Sequence, residues 1–226
     1  MRVFPRRRVR IEAIEDPSVA QGFGLITNLP QYKLGLRLAA QKAATNVRGV
    51  RAIDIGCGNG SLVIALAGMH ASLKVVGVDL SDEMVRLARN RAMKAGLGER
   101  VTFKKGDAQR IPYPDGSFDL VVSTLSLHHW SEPRKVFDEV ARILKRGGKC
   151  VLADMRRDAI PVFIGLMWFA QHFIVPPSLR RAGEPLGSIQ SSYTQQEASA
   201  LLRKSKLGRF CRVGKGPFWL VIKGRK

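Results

Sequence analysis

The chain has 226 residues, 45% of them hydrophobic, and a formal net charge of +20. That is enough apolar material for one substantial core, and no repeat or low-complexity tract interrupts it. Three cysteines cannot all pair, and neither they nor the four histidines fall in a metal-ligand spacing. A disulfide framework and a zinc site are therefore not expected, and a reducing, cytoplasmic setting is.

Residues 1–50 carry 9 basic and 3 acidic groups. Their opening, MRVFPRRRVRIE, lacks the apolar run of about 7–15 residues that a secretory leader needs. Beyond them, short β-branched runs alternate with amphipathic patterns. Ala52–Ile55 reads as a strand that runs into Gly56, Gly58 and Gly60, and Ser61–Ala67 as the helix that follows. Lys74–Asp79 is a second strand. Ser81 is a good N-cap for a helix over Asp82–Ala95, with Asp82 and Glu83 at its positive end. Val101–Lys104 and Phe118–Ser123 are the third and fourth strands. Ser131 as cap and Pro133 in the first turn open a helix to Lys145, which Gly147 and Gly148 then stop. Lys149–Asp154 is the fifth strand. This alternation predicts an α/β fold with a parallel sheet covered on both faces.

Ala159–Pro177 is uncharged and apolar on every side, but three prolines interrupt it and it is too short for a clean spanning helix. Three readings stay open: a lid packed on the core, a pocket wall for an apolar acceptor, and a membrane or dimer contact flanked by Arg156, Arg157, Arg180 and Arg181. Thr194 and Glu197 form a capping box for a helix through Lys206. RFCRV and PFWLVIK then flank Gly214-Lys215-Gly216, which predicts an antiparallel hairpin. From Arg203 to Lys226 there are nine basic residues and no acidic ones. A charge of this sign attracts nucleic acid or anionic lipid, or is a solvated basic surface.

Glycines straight after a strand let a ligand approach the backbone, and the usual ligand at that edge carries a nucleoside. The spacing here is G-x-G-x-G rather than G-x-G-x-x-G, and Asp54 stands two residues before the first glycine. A carboxylate there opposes a pyrophosphate and suits a cationic ligand. Asp79 closes the second strand, where an acid accepts from both ribose hydroxyls. Asp107 follows the third strand and can accept from an exocyclic amino group. Ribose, adenine and a cationic portion without phosphate describe S-adenosylmethionine.

In this order, DIGCGNG, GVDLS, GDAQRIPYPDGSFDLVVS, SLHHW and EVARILKRGG resemble the class I S-adenosylmethionine-dependent methyltransferases, in particular the branch with the quinone-biosynthesis enzymes. The match covers about Arg51 to Asp154. It implies a single domain over 1–226 with a Rossmann-like seven-stranded sheet, five strands parallel plus the C-terminal hairpin. It also implies an N-terminal helical cap over 1–48 and an apolar lid insertion over 156–190. Carried over by position, Asp54, Gly56, Cys57, Gly58, Gly60, Asp79, Leu80, Met84, Asp107, Ala108 and Ser123 would hold S-adenosyl-L-methionine. Phe23 or Tyr32 would cap it. Arg146 stands where the family usually has a proline before the paired glycines.

SLHHW follows the fourth strand and should face the reacting methyl. Either His128 or His129 can take a proton from the acceptor, and His128 is preferred. The expected activity is methyl transfer to a small, apolar or aromatic acceptor, with peripheral membrane contact open and no obligate protein partner. A tRNA, rRNA or DNA methyltransferase is the alternative, which the charge favours. A non-catalytic cofactor-binding module is the third reading, and the intact Asp54, Asp79 and Asp107 count against it.

Overall fold

The structure is a computed structural model that describes residues 6–7, 14–47 and 50–226. The stretch read against a secretory leader lies, Arg6 and Arg7 apart, outside the described residues.

Seven strands form one sheet in the order β3-β2-β1-β4-β5-β7-β6. β1 (Arg51–Ile55), β2 (Lys74–Asp79), β3 (Val101–Lys105), β4 (Phe118–Thr124) and β5 (Leu144–Met155) are mutually parallel. β6 (Cys211–Lys215) and β7 (Trp219–Arg225) are the antiparallel hairpin, with β7 beside β5. The chain order reverses between β1 and β4, so a crevice opens at their C-terminal ends.

Helices cover both faces. α3 (Ser61–Met69) and α4 (Asp82–Lys94) lie on one, where Leu62, Val63, Leu66, Val85 and Ala88 are buried. α5 (Pro133–Ile143) and α9 (Gln195–Arg203) lie on the other, where Val136, Phe137, Val140 and Ile143 are fully buried. Each of those four side chains contributes roughly 1.5–3 kcal/mol of transfer free energy. α1 (Pro17–Asn28) and α2 (Pro30–Ala44) precede the sheet, and α6 (Pro161–Phe173), α7 (Pro177–Arg181) and α8 (Leu186–Ser191) lie between β5 and α9.

The caps follow local chemistry. The Ser81 hydroxyl accepts from the Met84 amide at 3.0 Å. Thr194 and Glu197 make the reciprocal capping box, at 3.2 and 2.9 Å. Four local expectations are corrected. Ser131 does not cap α5: Glu132 holds that place without a side-chain bond, and the Ser131 hydroxyl accepts from Gln109 instead. α5 ends at Ile143, before the glycine pair, because Leu144 already pairs with Phe118 as the start of β5. Gly147 then supplies a left-handed turn inside that irregular strand. α9 ends at Arg203 and a 3-10 turn takes over at Lys206–Arg209. Gly214 and Lys215 pair with Val221 and Leu220, so the hairpin turns over 216–218.

Candidate active site

The crevice is a cavity of about 600 Å³ at the C-terminal ends of β1, β2, β4 and β5. One wall follows β1 and β2. The amides of Gly56 and Cys57 both donate to the Val78 carbonyl, at 2.8 and 3.1 Å, and lash the glycine loop to β2. Gly56 has φ +68, and a Cβ there would collide with the Ser126 hydroxyl. Gly58 has φ +51 and meets nothing within 4 Å, so it leaves open space over a bare backbone. Its amide donates to Asp79 Oδ2 at 2.7 Å, while the Ser81 amide donates to Oδ1 at 3.0 Å. Burial pushes the Asp79 pKa up, and those backbone bonds partly offset it.

Gly56, Cys57, Gly58, Asp79, Leu80, Met84, Asp107 and Ala108 all line this wall. Asp107 Oδ1 accepts from the Gln109 amide at 2.8 Å. Phe23 and Tyr32 both line the cavity too, so α1 and α2 together close that side. α1 is strapped to the loop by Asn59 Nδ2, which donates to Thr27 Oγ1 at 2.8 Å. Arg91 reinforces the strap through the Asn59 carbonyl and the Ser61 hydroxyl.

Three residues of the expected set lie off the wall. Asp54 is buried beneath the loop, with Oδ1 lacking a partner among the described residues. Burial first, then the neighbouring Asp79 carboxylate, holds its pKa well above the usual carboxylate range. Gly60 caps α3, and a Cβ there would press on the Phe103 ring at 2.8 Å, so it serves packing. Ser123 is buried, and its hydroxyl donates to the Ile55 carbonyl at 2.6 Å.

The opposite wall follows β4 and β5. Leu125 adopts φ +55 as β4 ends, a conformation that costs about 1–2 kcal/mol in a leucine. The strained turn presents Ser126, His128, His129 and Trp130 to the cavity. The Trp130 indole donates to the Ser126 hydroxyl at 2.9 Å. Asp154, at the end of β5, takes both the His128 amide (2.9 Å) and the His128 Nδ1 (2.8 Å) on its carboxylate. The Met155 amide donates to the same group at 2.7 Å. His128 Nε2 is left buried with no partner among the described residues. Burial alone would lower the His128 pKa, but the Asp154 carboxylate, with Glu184 behind it, raises it above its ordinary 6.5. His129 stands beside it, ring centroids 4.2 Å apart.

The sequence reading missed Asp154 and Glu184. Asp154 carried a signal, an acid ending a strand like Asp79. Glu184 sits among short, non-periodic helices and carried none. Phe163, Met167, Ala170 and Leu179 complete an apolar roof over this wall.

Residues 53–152 match the family model described as "Methyltransferase domain". The chain belongs to the class I S-adenosylmethionine-dependent methyltransferase family. Among curated methyltransferases, it is 42% identical over 106 residues to 27-O-demethylrifamycin SV methyltransferase of Amycolatopsis mediterranei, covering 47% of this chain and 39% of that one. It is 30% identical over 158 residues to a ubiquinone/menaquinone biosynthesis C-methyltransferase of a Geobacter species, covering 67% and 66%. The chain spans about half the length of the curated relatives it matches. A methyltransferase crystal structure from Aquifex aeolicus superposes with TM-score 0.67 at 23% identity, over 92% of this chain and 97% of that one. A plantazolicin methyltransferase in complex with S-adenosylhomocysteine superposes with TM-score 0.70 at 14% identity, over 92% and 91%. At those identities the two methyltransferase structures establish the shared fold.

Proposed function

We propose that the chain transfers a methyl group from S-adenosylmethionine to a hydroxyl of a small, apolar or aromatic acceptor, with His128 as general base. One observation carries this: His128 Nε2, buried and unpartnered among the described residues, belongs to the same cavity as the Gly58–Asp79 wall.

The wall residues suit the cofactor. Gly58 leaves space for a ligand against the backbone. Asp79, held by two amides, keeps lone pairs for vicinal ribose hydroxyls. Leu80 and Met84 offer an apolar flank to the adenine, and Asp107 and Ala108 its polar edge. Asp54 Oδ1, an orphaned acceptor below the loop, favours a cationic group above it. Bound there, the sulfonium supplies an electrophilic methyl group.

The remaining work belongs to side chains. Asp154 accepts from Nδ1–H and so fixes the tautomer, with the Nε2 lone pair available in the cavity. A hydroxyl donating to Nε2 is oriented by that bond and gives up its proton to the imidazole as its oxygen becomes the nucleophile. Asp154 then stabilises the imidazolium. Alignment of the two reactants supplies much of the acceleration, and the roof from α6 excludes water around them.

Phe163, Met167, Leu179 and Trp219 favour an apolar or aromatic acceptor. Relatives named for rifamycin and quinone methylation support that class. The charge supports a nucleic-acid acceptor less well: the basic groove at Arg134, Arg203, Lys204 and Arg209 shares no residue with the cavity. Titration calorimetry with S-adenosylhomocysteine tests the reading. Wild type and His128→Asn bind alike, and Asp79→Ala binds at least about tenfold more weakly. Failure of wild type to bind it, or preferential binding of NAD, would overturn the proposal.

A further inference from the structure

α6 is apolar on two sides and packs with only one. Phe163, Met167 and Ala170 face inward onto the cavity, and Phe163 stacks on Phe218 with ring centroids 4.8 Å apart. Val162, Leu166, Phe169 and Phe173 repeat at helical spacing along the other side and are 50–71% exposed. The helix holds no Lys, Arg, Asp or Glu. An outer helix face in water is normally polar, and a clustered apolar stripe marks an interaction surface.

Two observations say what covers it. The stripe leads to the cavity mouth: Leu29, Leu80 and Ile174 line the cavity yet stay 36–61% exposed, so they mark its rim, and Ile174 directly follows Phe173. The same end is cationic. Arg180 and Arg181 are exposed in the last turn of α7. Arg180 Nη1 donates to the His172 carbonyl at 2.9 Å, which fixes a guanidinium beside the C-terminal end of α6. The whole chain adds a net charge of +20.

We propose that this face docks on an anionic lipid bilayer, with the outer stripe of α6 in the headgroup–acyl boundary and Arg180 and Arg181 against the headgroups. No single helix among the described residues is long and apolar enough to cross a membrane, and the one pair that reaches the length together, Pro161–Phe173 with Pro177–Ser191, is bent by 116° at its break. α6 is 13 residues, about 20 Å of helix. With its inner side packed on the cavity and its outer stripe exposed, the proposed docking lays it in the plane of the surface. Docked this way, the rim opens onto lipid and a lipophilic acceptor enters without crossing water. That last clause alone rests on the acceptor reading above.

Flotation of the full chain with vesicles tests the docking. Phosphatidylcholine mixed with phosphatidylglycerol carries the protein upward, phosphatidylcholine alone does not, and high salt weakens the binding. Leu166→Asp with Phe169→Asp lowers partitioning by at least about tenfold. Arg180→Glu with Arg181→Glu lowers it by at least about fivefold per position. None of the four lines the cavity, so affinity for S-adenosylhomocysteine stays at the wild-type value in both variants and shows that they are folded. Absence of flotation with either vesicle overturns the docking, as does unchanged flotation of the Leu166→Asp/Phe169→Asp protein. A non-floating wild-type dimer that this pair of substitutions dissociates assigns the face to a second copy and also overturns it. Flotation without S-adenosylhomocysteine binding leaves the docking standing and sinks the cofactor reading instead.

Discussion

The cavity wall after β1 and β2 is held mainly by backbone amides, whereas the wall after β4 and β5 is held mainly by side chains. The Gly56 and Cys57 amides donate to the Val78 carbonyl, and the Gly58 amide to the Asp79 carboxylate. Opposite them, His128 depends on a carboxylate 26 residues away, and the roof comes from α6 and α7. A backbone-built wall admits one ligand shape and tolerates little change. A side-chain-built wall can be recast for a new acceptor without disturbing the other. Donor binding and acceptor chemistry should therefore be separable by mutation.

The largest expected effect is on the acceptor wall. His128→Asn lowers kcat by about 10²–10⁴-fold with cofactor affinity unchanged, measured by steady-state kinetics beside calorimetry. A comparable loss of cofactor affinity would break the distinction between the walls. Asp154→Asn sharpens it through pH. General-base action needs neutral His128, whose raised pKa places the acidic limb of kcat/KM above pH 6.5. Removing the carboxylate that raises it moves the limb to lower pH. The same pair has a linkage to stability. Its contribution is fully present below the unfolded pKa of about 6.5 and is lost as pH rises through the higher folded value. The smallest effect is on the donor wall: Asn59→Ala removes the strap from the glycine loop to Thr27 and weakens S-adenosylhomocysteine binding by about fivefold, with kcat little changed.

The contrast in construction also explains what the sequence disclosed. Strand and helix periodicity placed six of the seven strands to within two residues, and the helix caps at Ser81 and Thr194 to the residue, while β5 starts five residues before its expected position. The wall after β1 and β2 was legible because its glycines and acids sit at fixed offsets from strand ends. Even there, identity did not give orientation. Asp54, Gly60 and Ser123 belong to the same motifs as the wall residues, yet all three lie behind the cavity surface. On the wall after β4 and β5, His128 was visible and its partner was not. Pairing Asp154 with it requires β5 to lie beside β4 in register, which no local pattern near His128 encodes. The end of α5 was misplaced for a similar reason: Leu144 continues an apolar helical stripe, but a sheet hydrogen-bond ladder claims it.

A crystal structure with S-adenosylhomocysteine tests the central claim most directly. It should show the ribose on Asp79, the adenine beside Asp107, and the sulfur turned toward a free space bounded by His128 Nε2. An adenosyl group bound elsewhere, or a sulfur facing away from His128, would contradict it.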